Sequence, residues 1–538
     1  MNTTVNALPS FTKWTQTGES PLYSAEEIQK ATLRMREPCT IIQNLQDGRV
    51  GVAFDGQFGP EGEAAVIGVL PSLYPEWLGD RSFCEAHGTR FSYVCGAMAN
   101  GIASTDVVIA ACEAGMLGFF GSAGLHPDRV TAAADLLQDR LGSKGIPFGM
   151  NLIHSPHEPD LENAIVDLYL QKGIRRVSAA AYMNLTPMVV RYAVKGLDTD
   201  ASGRITRQNF VFAKISRPEV AARFLSPAPA AMLQQLVAEG HITAREAELA
   251  AHVPVSEDII VEADSGGHTD NQIPGAIFPT VKRVQEELMA KHQYARPIRV
   301  GSAGGIGTPI AAAAAYSMGA AFILTGSVNQ GAIESGLSPK GKKALALAAL
   351  DDVMMAPAAD MFEMGVKVQV LKRGTMFGVR AQRLYDVYRT YDSIESIPAD
   401  EKARLEKEIF KDTLENVWRA THKFFQTRDP RENAKAENDP KHLMALVFRW
   451  YLGQSSKWAI AGDDTRALDY QIWCGPAMGA FNAWVKGSFL EPAENRQVVQ
   501  IAKNLLEGAA VITRANQLRS YGVPVPQSAY YFPPREFA

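Results

Sequence analysis

The chain has 538 residues, 46% of them apolar, and a formal net charge of −4. Such a length predicts more than one domain or a barrel with insertions, and the near-neutral charge argues against a nucleic-acid partner. Five scattered cysteines without a CxxC spacing, and a start lacking the basic and apolar regions of a signal peptide, lead to the expectation of a cytoplasmic protein.

Residues 1–90 read as a small β-rich domain. Ser24-Ala-Glu-Glu27 is a capping box that opens a short helix. Apolar runs at 40–42, 49–54 and 64–70, separated by Asp-Gly and Gly-Pro, read as strands. From about residue 91 strand-like and helix-like stretches alternate, which predicts a parallel α/β sheet. Eight strands are expected to begin near Phe91, Gly115, Pro147, Arg176, Phe210, Asp258, Arg296 and Ala321. Helices are expected over 104–113, 127–140, 159–171, 218–224 and 280–292, and after the N-cap pair Thr308-Pro309. This count matches a (β/α)8 TIM barrel, with a doubly wound sheet as the alternative. The run 309–324 is too short and too interrupted for a membrane span.

The expected barrel spans 91–375, with two extra helices inserted at 226–254. A helical domain is then expected over 376–465, with one long helix at 401–425, a charged loop at 429–439 and a helix at 441–451. Residues 466–538 are expected to return to the barrel and supply its closing helix at 494–520.

Chemistry in a barrel gathers where strands end. Ile259-Ile-Val-Glu-Ala-Asp-Ser-Gly-Gly-His268 runs from a buried strand into two acids, a glycine pair and a histidine. It is either a turn with an exposed His or a catalytic strand end. Gly301-Ser-Ala-Gly-Gly-Ile-Gly307 follows the seventh strand and opens a helix, and Thr325-Gly326-Ser327 ends the eighth. Backbone amides of glycine-rich loops at helix starts bind phosphate, and these are the two slots where barrels often do so. The alternative is that the glycines only permit close packing. Asn151 and Lys214 end the third and fifth strands. Asn151 is a ligand or a turn cap; Lys214 steadies negative charge or makes a rim ion pair. His154-Ser-Pro-His157, with Glu158 and Asp160, lacks the helical spacing of a zinc pair, so no metal is expected. The basic residues Lys367, Lys372, Arg373, Arg380, Arg383 and Arg389 read as a solvated face or as a docking site for an acidic partner or a nucleotide 2′-phosphate.

The ordered stretches CGAMANGIAS, GMNLI, EADSGGH, VGSAGGIG and LTGSVNQG resemble the FMN-dependent nitronate monooxygenase/enoyl reductase superfamily of barrels. GSAGLHPDRV, SAAAYMNLTPMVVRYAVKGL and DYQIWCGPAMGAFNAWVKGSFLEP look like one branch, the PfaD family of trans-acting enoyl reductases from polyunsaturated fatty acid and polyketide synthases. The resemblance implies FMN at the barrel mouth and NADPH as reductant. It implies that Ala97, Met98 and Asn151 contact the ring or ribityl chain, with Lys214 and Gly267 beside them. Gly304, Gly305, Gly326 and Ser327 would hold the phosphate, and His268 would be catalytic. The implied substrate is a trans-2-enoyl thioester on an acyl carrier protein, and a homodimer is the default assembly. A nitronate monooxygenase-type oxidase and a non-catalytic flavin-binding scaffold are the alternatives.

Overall fold

The computed structural model describes residues 13–154 and 159–537. Its centre is a closed parallel barrel, which excludes the doubly wound sheet. The strands are β1 (Tyr93–Cys95), β2 (Leu117–Phe120), β3 (Gly149–Ile153), β4 (Arg176–Ala180), β5 (Phe210–Ile215), β6 (Asp258–Glu262), β7 (Arg299–Ala303) and β8 (Ile323–Thr325). They pair in chain order, and β8 pairs back to β1. All eight lie where the apolar runs predict them.

Strand alternation sorts side chains into two layers. Val94, Leu117, Phe119, Phe210, Phe212, Ile260, Ala303, Phe322 and Leu324 meet inside the barrel. Their neighbours, among them Cys95, Met150, Val177, Val211, Ile259 and Val300, pack outward under the helices. The same phase points Asp258 and Glu262 inward with Ile260, and Lys214 inward with Phe212.

The amino-terminal end of the barrel is plugged by the helix Arg81–His87, which is capped by the Asp80 side chain. Phe83 stacks on Phe322, with ring centroids 4.6 Å apart. Beside it Asp258 accepts from Arg299 Nε and Nη2 at 2.6 and 2.8 Å, and all three charged or titratable partners, including His87, are fully buried. Arg176 Nε donates to His87 Nδ1 (3.2 Å), which leaves the ring proton on Nε2, 3.1 Å from Asp258 Oδ2. Burial pushes the Asp258 carboxyl upward, but Arg299 and His87 outweigh it and hold the group well below the ordinary carboxylate range. Burial lowers His87, so this ring is neutral.

The amino-terminal region is a five-stranded antiparallel sheet. Ile28, Ile41, Val52 and Leu70 pack against Leu518 and Val523, at the end of the last long helix. That helix, Val498–Ser520, lies against the helices Pro309–Ser317 and Thr105–Glu113, the place of an eighth barrel helix.

Between β8 and that helix the chain makes a separate layer. Strands β9 (Val353–Pro357) and β10 (Lys367–Leu371) pair antiparallel, and Gly267–His268 joins β10 as a third strand. Helices Phe377–Thr390, Leu414–Arg428 and Pro440–Ala461 enclose a second core around Phe362, Leu384, Phe410, Phe448 and Tyr451. Two expectations fail here. The long helix at 401–425 is broken: a π-helical turn, Leu405–Phe410, ends at Lys411 (φ 55°), and a new helix starts after the Thr413 cap. The segment 429–439 is a helix, Pro430–Asn438, because Asp429 caps its first turn and Pro430 fits position N1.

Candidate active site

The carboxyl ends of the strands form the mouth. β7 and β8 are paired (Ala303 opposite Leu324), so their two glycine-rich ends stand side by side. Gly304 has φ 83° and Gly305 φ 71°, a backbone region that disfavours side chains. A Cβ on Gly304 would lie 2.7 Å from the Ala263 carbonyl carbon, so this loop is pressed against the end of β6. Gly305 and Gly326 differ: a Cβ on Gly305 would meet nothing closer than 3.9 Å, and one on Gly326 nothing within 4 Å. Open space thus lies before two backbone turns that lead into the helices Pro309–Ser317 and Ser327–Gln330. Such a cradle suits a phosphate-bearing planar cofactor of the FMN type.

Ser327 Oγ accepts from Gly475 N (3.2 Å), so its own proton is free for another acceptor. Asn151 is buried in the middle of β3 rather than at its end, because pairing with β4 continues through Ile153, and its Nδ2 donates to Ser178 O (2.9 Å). Gly96 and Met98 follow β1, and the Met98 carbonyl crosses where a side chain on Gly121 would stand. Ala97 packs against the top of the inner cluster.

Lys214 is in an ion pair. Its Nζ lies 2.8 Å from the Glu262 carboxylate, with the side chains 28% and 16% exposed, and Ser265 Oγ donates to Glu262 Oε1 (2.9 Å). Sequence reasoning does not single out Glu262. The signal for it is the inward phase it shares with Lys214 on the neighbouring strand. His268 lies beyond the strand end, in the two-residue strand paired to β10. Its side chain is half exposed and its Nε2 is 3.2 Å from Asp360 Oδ1. Gly267 precedes it with φ 84°.

A wall of the site comes from far along the chain. Trp473 bridges Val370, Cys474 N donates to Gln369 O, and Gly475 reaches Ser327. A Cβ on Gly266 would lie 2.8 Å from Cys474 N, and one on Gly475 2.8 Å from Gly266 N, so two glycines allow these backbones to touch. Gln369 Nε2 binds both Asp264 Oδ1 and Ser265 O at 2.7 Å. Burial pushes the Cys474 thiol up to about 12, which leaves it a packing group.

His154 is taken up by Glu162, 2.9 Å from its Nδ1, and stacks on Tyr182. His157 and Glu158 lie outside the described residues. Half of the basic stretch is compensated: Arg373 pairs with Asp352, Arg380 with Asp469, and Arg383 with Glu401 and Glu408.

Over 510 residues the chain is 45% identical to a polyunsaturated fatty acid synthase component of Thraustochytrium sp., a match to 94% of this chain and 34% of that protein. It is 46% identical over 453 residues to polyketide biosynthesis protein PksE of Bacillus subtilis, covering 84% of this chain and 58% of the relative. The crystal structure of the enoyl reductase domain of MlnA, from the macrolactin biosynthesis cluster of Bacillus amyloliquefaciens, superposes with a TM-score of 0.79 at 38% identity. That match covers 83% of this chain and 99% of the MlnA domain. The chain belongs to the enoyl-reductase family of polyunsaturated fatty acid and polyketide synthases. Like the MlnA domain, this family member is a barrel; it spans only about a third of the Thraustochytrium protein and 58% of PksE. Its residues 391–470 match the inserted helical domain of [acyl-carrier-protein] S-malonyltransferase. Among the described residues no helix is long and apolar enough to cross a membrane.

Proposed function

We propose that the chain is an FMN-dependent oxidoreductase that reduces trans-2-enoyl thioesters on an acyl carrier protein with NADPH, in polyunsaturated fatty acid or polyketide biosynthesis. The observation that carries this reading is the open cradle at Gly305 and Gly326, in a chain that matches nearly all of the MlnA enoyl reductase domain. FMN, when bound, accepts and returns the hydride.

The protein's own groups bind, orient and handle charge. Amides of Gly304, Gly305 and Gly326 and the Ser327 hydroxyl would hold the phosphate. Ala97, Met98 and Asn151 would contact the ring or ribityl chain, with Gly267 beside them. Lys214, fixed by Glu262, puts an ammonium under the mouth. His268 donates from Nε2 to Asp360, so Nδ1 is the nitrogen left to face the substrate, and it carries a proton there when the ring is doubly protonated. A donor there either protonates the α-carbon or steadies the enolate-like thioester oxygen. The helical layer carries a fold otherwise found in an acyl-carrier-protein transferase, which supports a carrier-borne substrate. A cytoplasmic homodimer is the assembly we expect.

The test is anaerobic. The FMN-loaded protein is mixed with NADPH and then with a crotonyl thioester of an acyl carrier protein. Bleaching of the flavin by NADPH, followed by reoxidation on adding the thioester, is the expected result. Turnover with a nitronate and O2 alone would sink the reading in favour of an oxidase. A flavin that neither bleaches nor reoxidises would leave a binding scaffold.

A further inference from the structure

Lys214 and Glu262 raise a question that the proposed reaction leaves open. The barrel interior is mainly aromatic and aliphatic down to its plugged end. Yet its top layer carries one cation and one anion on adjacent strands, both pointing inward, 2.8 Å apart. A salt bridge needed only for stability gains little in this mostly buried setting, because taking both charges out of water offsets much of their attraction. The pair is also held from a third side: the Ser265 hydroxyl fixes Glu262 Oε1, and Ser265 is itself pinned through its carbonyl by Gln369 from β10. Glu262 is therefore oriented by two elements and cannot swing away from Lys214 without losing the Ser265 bond.

We propose that Lys214 and Glu262 form one charge-compensated pair beneath the flavin, in which Glu262 positions Lys214 and sets how readily the bound ring takes up negative charge. This rests on the FMN-binding reading above. A ring held at the mouth would lie over both groups. The ammonium favours negative charge on the ring, and the carboxylate beside it opposes this. Each member works in the opposite direction to the other, so removing them singly shifts the ring's electron affinity in opposite senses. A purely structural pair gives no such opposition: loss of either member would loosen the site in the same sense.

The experiment uses sulfite, which adds to oxidised flavin and leaves a negative charge on the ring. Sulfite dissociation constants are measured by the loss of flavin absorbance for the FMN-loaded parent, Glu262→Gln, Lys214→Met and the double variant. Glu262→Gln is expected to bind sulfite about tenfold more tightly and Lys214→Met about tenfold more weakly, as an uncompensated or missing unit charge close to the ring requires. The double variant is expected to fall near the parent. Glu262→Asp, one methylene shorter, keeps the charge and is expected to stay within about threefold of the parent. Equal dissociation constants across all chains, with FMN retained, would overturn the assignment alone. Shifts of both single variants in the same direction would overturn it too, in favour of a structural role. A parent chain that fails to hold FMN would instead remove the reading on which it rests. If one single variant loses FMN, the sign of the shift in the other decides between the two roles.

Discussion

Strand β6 carries an acid at each end on the same inward face, and the two ends behave differently. Asp258 lies at the plugged end, fully buried, with both oxygens on Arg299 and a neutral His87 alongside. Glu262, four residues on, faces the open mouth, shares Lys214 with water and is steadied by a serine. The chemistry of the two carboxylates is nearly the same. What separates them is the depth of the barrel, which makes one part of the framework and leaves the other free to act on whatever the mouth holds.

This contrast can be broken at several points. The largest effect is expected from Asp258→Ala, which strands Arg299 in an apolar interior. Urea unfolding should show a loss of about 3–5 kcal/mol. The same carboxyl gives a pH signature. Its folded-state pKa lies below the ordinary value, so its stabilisation is present above the unfolded-state pKa and is lost as pH falls through the folded one. The parent should therefore lose stability steeply below about pH 4, and Asp258→Asn should flatten that limb. An unchanged acid limb would mean that Asp258 is not the group responsible.

At the mouth the expected losses are functional. His268→Ala should retain FMN and lose stability by no more than about 0.5 kcal/mol, since the ring is half exposed. Enoyl reduction should fall about a hundredfold, read from single-turnover reoxidation. Reduction at the parent rate would remove His268 from the chemistry. Gly305→Glu should weaken FMN binding by roughly tenfold or more, through a carboxylate at the phosphate cradle. Gly305→Ala is the control, because it meets the same backbone cost without the charge. Equal flavin content in both would rule out that loop. Ser327→Ala should cost least, about 0.5–1.5 kcal/mol of FMN affinity by equilibrium titration.

Much of the barrel is legible in the sequence because its strands are buried on both faces and read as continuous apolar runs, such as Phe210–Ile215 and Asp258–Glu262. The paired glycine loops are legible because helix-starting signals follow them. Other features depend on contacts that no local pattern encodes. The π-helical turn ends at Lys411 because Glu406 takes the Leu414 amide, while Asp412 takes the Thr413 backbone amide and the Asn416 side-chain amide. The charged stretch after Asp429 does carry a local start signal in Asp429-Pro430, and its helix is also tied down by Asn433, which reaches back to His422 O. Trp473 to Gly475 become a wall of the site only when Gln369 and Ser327 are already in place. The Lys214–Glu262 pair is intermediate: strand phase and strand adjacency are enough to suggest it, but its tie to Ser265 needs coordinates.

The long return of the last helix has a kinetic consequence. Arg36 bonds Glu507 through both terminal guanidinium nitrogens, and Arg514 reaches Met35 O, contacts more than 470 residues apart in sequence. The five-stranded sheet leaves the ribosome before Leu518 and Val523, which cover its apolar face, have been made. During synthesis it waits with that face uncovered, and the barrel waits with a gap between its first and seventh helices. Loops this wide close slowly, and the intermediate helical layer, with its own core, is placed to collapse first and bring the ends together.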